Sequence, residues 1–148
     1  MPVLTCDILI EGIQRDALFE KLCSVQTHIA VLKRSNVFSK EIATDQLELT
    51  LSCRFKNRRI GYIIEKRDDE HGGRRIRIKT TGKRSGGLLS YSLRTMKPSR
   101  NTLVTLTWDY NSGGVLGGAI DVLSLRESYT QFLKEVLTSL TKEIQVGG

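Results

Sequence analysis

Two glycine pairs follow an aromatic segment in the stretch WDYNSGGVLGGAIDVL, which runs from Trp108 to Leu123. Glycine-rich loops can hold a phosphate, but a Walker loop needs a lysine and a Ser or Thr directly after its glycines, and here AID follows Gly118. A Rossmann fingerprint needs a parallel βαβ unit, whereas the preceding segment ends an antiparallel meander and no strand follows. The pattern therefore predicts a hinge at the mouth of a cavity, formed by Gly113, Gly114, Gly117 and Gly118.

The acids and histidines do not predict a catalytic site. Acid–base hydrolysis would need two carboxylates in one pocket, but the acids on the predicted strands have outward parity, and Asp109 is expected to face solvent. His28 lies on a short helical segment and His71 lies in a polar turn, neither with a visible Ser or Cys partner. We predict that both histidines are surface or edge residues.

The cysteines are too few and too far apart for a metal site or a disulfide framework. Cys6, Cys23 and Cys53 form no CxxC pair. No HExxH or EF-hand spacing occurs either, so neither a metal nor a cofactor is predicted. Buried, reduced thiols are the expected state.

Aromatic residues provide the strongest candidate for a binding site. Tyr62, Tyr91, Trp108 and Tyr110 share the inward parity of their predicted strands. They could pack as core, or they could line a partly polar cavity, because buried hydroxyl and indole N–H groups need hydrogen-bond partners. The second interpretation predicts a ligand site lined by Phe38, Tyr62, Ile78, Tyr91, Leu93, Leu106, Trp108, Tyr110, Leu116, Ile120 and Leu123.

Charge is divided unevenly along a chain whose formal net charge is +7. Residues 54–100 hold 15 Lys and Arg against four acids, for a net charge of +11, and the other residues hold eight against 12, for −4. RNA-binding sheets interleave outward charges with exposed aromatic rings, but here the aromatic residues have the opposite parity. We therefore expect no nucleic-acid partner. The basic face could be only solvated, or it could bind an acidic protein or membrane surface through Arg54, Arg75, Arg77, Lys79 and Arg94.

The elements that position these residues follow from periodicity. Alternation at period two predicts a strand over residues 3–12 and six more over residues 36–110, with a polar turn at residues 68–73. Leu47, Leu49 and Leu51, on the cleanest of these strands (47–55), should be buried under the last helix. Steps of three and four residues between Gln14 and Lys33 predict one or two short helices with a break near residues 23–24.

The C-terminal part of the chain is predicted to be one long helix. Its apolar stripe consists of Leu125, Tyr129, Phe132, Leu133, Val136, Leu137, Leu140 and Ile144. Extended back to Val115, this helix would reach about 30 residues, or about 45 Å. All 148 residues are therefore expected to form one α+β domain, in which a seven-stranded antiparallel sheet covers one face with the long helix.

This order of elements resembles that of the START-like (SRPBCC) superfamily, over nearly the whole chain. The most specific parts are ILIEGIQRDALFEKLCSVQ near the start and WDYNSGGVLGGAIDVLSLRESYTQFLKEVLTSL near the end. The glycine-rich turn into the last helix is most similar to the carbon monoxide dehydrogenase G-like and polyketide cyclase branch. The resemblance implies a helix-grip fold, in which a curved sheet wraps round the C-terminal helix and encloses an apolar cavity. It implies no catalytic residue, because the superfamily has no invariant catalytic motif.

Together these observations favour a non-catalytic protein that binds or carries a small hydrophobic molecule. The alternatives are a cyclase- or hydratase-type enzyme that uses cavity tyrosines, and an accessory protein that docks through its arginine-rich face. The N-terminus has no basic leader and no small-residue cleavage site, so a cytoplasmic location is expected.

Overall fold

The computed structural model describes residues 3–53, 57–96, 100–112 and 119–147, which form seven strands and three helices. In chain order these are β1 Val3–Ile10, α1 Arg15–Leu22, α2 Val25–Arg34, β2 Phe38–Ala43, β3 Gln46–Ser52, β4 Asn57–Glu70, β5 Gly73–Thr81, β6 Gly87–Met96, β7 Asn101–Tyr110 and α3 Ala119–Gly147.

All seven strands belong to one antiparallel sheet in the order β1-β7-β6-β5-β4-β3-β2. Strands β2 to β7 form a meander, and β1 pairs with β7 along its whole length. The chain therefore passes from one edge of the sheet to the other between β1 and β2. Helices α1 and α2 make this crossing, with α1 over β5 and β6 and α2 beside β2.

Alternation decides which face of each strand is buried. On β3, Leu47, Leu49 and Leu51 are buried and the residues between them are not, which confirms the predicted burial. The strand ends at Ser52, earlier than the predicted residue 55. Residues 54–56 lie outside the described residues.

The two short helices are separated where the sequence predicts a break. Ser24 caps α2 by accepting a hydrogen bond from the Gln26 backbone N–H (3.3 Å). Arg67 of β4 donates its Nε hydrogen to the Cys23 carbonyl (2.9 Å) and so ties the break to the sheet. The helix pair is held at both its sequence break and its apolar face.

Helix α3 presents the predicted apolar stripe to the interior. Every described member of the stripe, from Leu125 to Ile144, is buried. The helix lies closest to β1, α2 and β7. A long C-terminal helix over the inner face of a seven-stranded antiparallel sheet is the predicted architecture.

The turn predicted at residues 68–73 is shorter than expected. Strand β4 continues to Glu70, and only His71 and Gly72 form the turn. Two features explain the extension: Gly72 has a φ of +78°, which a tight turn requires, and Asp69 pairs with Arg74 across the ladder (3.0 Å). Opposite charges on facing strand residues allow polar residues to continue a strand.

Candidate functional site

The inner face of the sheet carries an aromatic wall. Tyr62 of β4, Tyr91 of β6, and Trp108 and Tyr110 of β7 are all at most 2% exposed. Apolar neighbours on the same face fill the space between the rings, among them Ile78, Leu93 and Leu106, all fully buried. The structure therefore brings together seven of the residues predicted to line a ligand site.

Two residues predicted for this wall do not face the interior. Phe38 is 68% exposed, because its partner across the ladder is Thr50, which belongs to the outward set on β3. Leu123 is 61% exposed; it lies two residues before Leu125, roughly 200° away from the buried stripe at 100° per residue. The prediction that these two side chains face the interior is wrong.

The remaining predicted residues fall where the structure describes no side chain. Leu116 and the four hinge glycines, Gly113, Gly114, Gly117 and Gly118, lie outside the described residues. Ile120 belongs to α3, but its side chain is outside the described part. The hinge therefore stays a prediction.

Three packed side chains lie together in the interior, and we call them the His28 chain (His28, Tyr62 and Tyr91). The Nε2 atom of His28 lies 2.8 Å from the Leu22 carbonyl oxygen, and its Nδ1 atom lies 2.7 Å from the Tyr62 hydroxyl. Tyr91 joins the group through its ring, which lies against the imidazole. Both tyrosine rings meet the imidazole edge to face, with centroids 5.7 and 5.5 Å away.

The His28 chain is electrically neutral at physiological pH. Burial lowers the pKa of His28 to about 4, although the hydrogen bond to the Leu22 carbonyl opposes the shift. Burial also raises the pKa of Tyr91 to about 12 and the pKa of Tyr62 well above its ordinary value. The common cause is loss of hydration, which penalises the charged form of each group.

The prediction that His28 is a surface or edge residue is wrong, because its side chain is 1% exposed. A signal for this was available in the sequence. His28 stands three residues after Val25 and four before Leu32, and therefore lies on the apolar face of α2. His71, the other histidine, is exposed in the β4–β5 turn.

A second cluster lies where α3 crosses β7, which we call the Trp108 cluster (Trp108, Tyr110, Tyr129 and Phe132). Ring centroids are 4.4 Å apart for Trp108 and Tyr129, 5.4 Å for Trp108 and Tyr110, and 5.9 Å for Trp108 and Phe132. Burial raises the pKa of Tyr129. These rings join the helix to the sheet by aromatic packing.

The polar groups of Trp108 and Tyr129 lead to backbone carbonyls. Trp108 donates its indole N–H to Thr80 Oγ1 (3.1 Å), and the Thr80 hydroxyl donates to the Ser85 carbonyl (2.7 Å). The Tyr129 hydroxyl donates to the Arg84 carbonyl (3.0 Å). The cluster therefore ties the β5–β6 turn to α3.

A groove of about 550 Å³ opens between β3 and α3, which we call the β3–α3 groove. Its lining residues are Ser35, Asn36, Val37, Thr50, Leu51, Ser52, Glu127, Ser128, Gln131, Phe132 and Glu135. Phe132 belongs both to this groove and to the Trp108 cluster. The groove thus meets the aromatic interior at one buried ring.

The three cysteines are free thiols and are half-buried, less enclosed than predicted. Burial raises the pKa of the Cys53 thiol, and the Ser128 side chain opposes this shift. Burial also raises the pKa of Cys23. Higher thiol pKa values mean less thiolate at neutral pH, and therefore less reactive cysteines.

The basic outer face of the sheet is partly neutralised by its own acids. Asp68 lies 3.3 Å from Arg77 and 3.9 Å from Arg75. Lys79 and Arg94 are exposed. Arg54 lies outside the described residues.

Two kinds of feature do not occur in the part of the chain that the structure describes. Over residues 3–53, 57–96, 100–112 and 119–147, no three His, Cys, Asp or Glu side chains come together as metal ligands would. In the same ranges, no helix has the length and apolar character needed to cross a membrane.

No family model and no curated protein matches the chain, whereas solved structures do. A protein from Thermus thermophilus, TTHA0849, has a TM-score of 0.70 at 11% sequence identity and covers 99% of each chain. The Zhui aromatase/cyclase from Streptomyces sp. R1128 has a TM-score of 0.63 at 13% identity, over 97% of this chain and 93% of that one. Ginseng major latex-like protein 151 from Panax ginseng has a TM-score of 0.59 at 15% identity, over 96% of each. The chain therefore has the helix-grip fold that its sequence resemblance implied.

Proposed function

We propose that this protein binds a small, mostly apolar molecule between the inner face of the sheet and α3. The observation that carries the proposal is the β3–α3 groove. Its apolar lining includes Val37, Leu51 and Phe132, and the Phe132 ring packs on Trp108. Its volume of about 550 Å³ lies within the range of small-molecule sites, roughly 300–1,000 Å³.

The interior beyond the groove suits an apolar ligand that carries few polar groups. Tyr62, Tyr91 and His28 are buried and neutral, so a ligand there would meet no unpaired charge. One protein that shares the fold is an aromatase/cyclase, and an enzyme of that kind must hold an organic substrate. We extend this use of the fold to the present chain as part of the proposal.

The test is titration with N-phenyl-1-naphthylamine, an uncharged probe that fluoresces when it leaves water. Ser128→Phe would fill the β3–α3 groove from the helix side. We expect this change to weaken probe binding by about tenfold or more, which corresponds to about 1.4 kcal/mol.

The matched control is Thr138→Phe. Thr138 is exposed on α3 and lines a different groove, of about 490 Å³, between β1 and α3. We expect it to leave probe affinity within about twofold of the original. If Thr138→Phe abolishes probe binding and Ser128→Phe does not, the probe binds in the groove between β1 and α3, and the proposal is overturned. A probe that does not bind at all would overturn it as well.

A second candidate function is cyclase- or hydratase-type catalysis, and the His28 chain is the observation that favours it. A neutral imidazole joined to a tyrosine hydroxyl at 2.7 Å is a general acid–base pair in other enzymes. The two functions differ in what leaves the protein. A carrier releases its ligand with an unchanged mass, and an enzyme releases a product of different mass or ring number.

Two finer assignments accompany the proposal. We place the chain near the carbon monoxide dehydrogenase G-like branch, on the strength of the glycine-rich turn before α3, and in the cytoplasm. Native mass spectrometry of protein purified from its own source would identify a co-purified molecule. The chemical class of that molecule would test the assignment to this branch. Fractionation of that source would test the location.

A further inference from the structure

The β3–α3 groove is acidic, although the protein as a whole is basic. Its lining includes two carboxylates, Glu127 and Glu135, and no Lys or Arg among the residues that the structure describes. These two side chains give the described lining a formal charge of −2, against a net charge of +7 for the whole chain. A ligand in this groove therefore meets a local charge of the opposite sign to the charge of the protein.

Both carboxylates are accessible from the helix side of the groove. Glu127 and Glu135 are exposed, and their positions on α3 are about 12 Å apart along the helix axis. Neither forms a salt bridge within the described ranges of the chain. Glu135 Oε1 accepts a hydrogen bond from Gln131 Nε2 (3.2 Å), which leaves its second carboxylate oxygen for a ligand.

The cations nearest to these acids along α3 line other hollows. Lys134 and Lys142 line a recess of about 260 Å³ between α2 and α3, and Lys134 also lines the groove between β1 and α3. Arg34, which α2 contributes to the recess, pairs with Glu143. Basic side chains therefore surround the recess, whereas the described walls of the β3–α3 groove carry only negative charge.

An apolar groove whose walls carry one sign of charge selects ligands by their charge. Low-dielectric walls focus the field of the carboxylates on the space between them, which attracts a cation and repels an anion. The apolar part of the lining, formed by Val37, Leu51 and Phe132, can cover the rest of the ligand. The groove thus combines an apolar surface with an acidic wall.

Building on the proposed function, we propose that the β3–α3 groove selects an amine that is protonated at neutral pH and carried on an apolar skeleton. The ammonium group pairs with Glu127 or Glu135, and the skeleton packs against Phe132. A carboxylic acid of the same size binds more weakly, because its charge meets two charges of the same sign. Glu127 and Glu135 are in this way the residues that determine ligand specificity.

Three naphthalene probes of matched size test the proposal. At neutral pH, 2-naphthylmethylamine is a cation, 2-naphthylmethanol is uncharged and 2-naphthoic acid is an anion. One exposed ion pair contributes about 1.4-fold to fivefold in affinity. With two glutamates, we expect the amine to bind about fivefold more tightly than the alcohol, and the acid about fivefold more weakly, as measured by isothermal titration calorimetry. The net charge of +7 acting from a distance would produce the opposite order.

A double variant removes the charge and keeps the shape of the groove. Glu127→Gln combined with Glu135→Gln should bring the affinities for the three probes within about twofold of one another and leave the affinity for the alcohol within about twofold of its original value. The matched control is Glu11→Gln combined with Glu20→Gln, which removes the same charge from exposed positions that do not line the groove. The control should keep the original order. A preference for the amine that persists in the groove variant, or that disappears equally in the control, would overturn the assignment.

The uncharged alcohol separates this inference from the proposed function. If the alcohol binds and Ser128→Phe weakens its binding, the proposed function stands. Equal binding of the amine and the alcohol, or tighter binding of the acid, then overturns the selection by charge alone. If none of the three probes binds, both proposals are wrong.

Discussion

The His28 chain and the Trp108 cluster are both polar groups inside an apolar core, but they end differently. At the Trp108 cluster, Tyr129 donates to the Arg84 carbonyl, and Thr80, which accepts from Trp108, donates to the Ser85 carbonyl. Both carbonyls belong to the turn between β5 and β6. In the His28 chain, the imidazole lies between the Leu22 carbonyl and the Tyr62 hydroxyl, so this network joins α1 and α2 to β4. The first network ties the β5–β6 turn to the long helix, and the second ties the two short helices to the sheet.

The location of the clusters agrees with this difference. The Trp108 cluster lies where α3 crosses β7, so its loss would loosen the helix from the sheet. The His28 chain is positioned by α2 against β4 and β6. We therefore expect changes in the Trp108 cluster to reduce stability at every pH, and changes at His28 to alter how stability depends on pH as well.

Breaking the Trp108 cluster should produce the largest effect. Trp108→Ala removes a side chain that is 1% exposed and should lower the free energy of unfolding by about 3–5 kcal/mol, as large-to-small core changes do. Urea denaturation followed by circular dichroism measures this loss. Leu88→Ala, on the exposed face of β6, is the control and should lose under about 1 kcal/mol. Similar losses in the two variants would mean that the cluster is not core.

Protonation of His28 in acid should lower the free energy of unfolding by a comparable amount. The pKa of His28 is about 4 in the folded protein against an ordinary value of 6.5, so the unfolded chain takes up a proton first. The contribution of neutral His28 to the free energy of unfolding is complete above pH 6.5, and it is lost as the pH falls from 6.5 to 4. The total loss is about 3 kcal/mol, from about 1.4 kcal/mol per pKa unit.

The pH dependence has its own control pair. His28→Leu should remove this part of the pH dependence from urea denaturation curves, and His71→Gln, at the exposed turn, should keep it. If both variants follow the original protein between pH 6.5 and 4, His28 does not titrate as its burial requires.

A smaller loss of unfolding free energy is expected from a change that keeps the shape of the Trp108 cluster and removes its hydrogen bonds. Thr80→Val leaves the Trp108 indole N–H and the Ser85 carbonyl without their partner. The expected loss is about 1–3 kcal/mol of unfolding free energy, the range for an unsatisfied buried group. Thr81→Val, one residue later and exposed, should change it by less than about 0.5 kcal/mol. Equal effects at the two positions would contradict the assigned network.

Substitutions on the outer face of the sheet should affect neither cluster, so the smallest change in unfolding free energy is expected there. Lys79→Glu, at an exposed position of β5, should change the unfolding free energy by less than about 0.5 kcal/mol and leave probe affinity unchanged. Neither form should bind single-stranded or duplex nucleic acid at physiological salt. A complex whose affinity falls steeply with salt, and which Lys79→Glu weakens, would show that the basic face is a nucleic-acid surface.

Most of the fold could be predicted because burial follows the period of the sequence. Leu47, Leu49 and Leu51 alternate, and α3 carries its stripe at steps of three and four, so both elements and their inner faces are evident. The direction of Phe38 could not be predicted, because a short edge strand with five exposed residues out of six has no buried parity to reveal its register. Its outward direction depends on pairing with Thr50 of β3, a contact that only the folded structure shows.

The candidate site was only partly predictable. Parity placed Tyr62, Tyr91 and Trp108 on one face, but it could not tell which buried hydroxyl meets which acceptor. His28 comes from another element, and only the packing of α2 against β4 brings its ring to Tyr62. Pairings between elements far apart in the chain depend on tertiary packing, and a single sequence does not contain that information directly.

The most direct test of the central claim is a nuclear Overhauser measurement on the protein saturated with N-phenyl-1-naphthylamine. Trp108 is the only tryptophan in the chain, so its indole signals need no separate assignment. We expect cross-peaks from the ligand to the Trp108 indole and the Phe132 ring, which meet where the β3–α3 groove reaches the interior. Cross-peaks only to Thr5, Ile8 and Leu137, in the groove between β1 and α3, would contradict binding between the sheet's inner face and α3 at the Trp108 cluster.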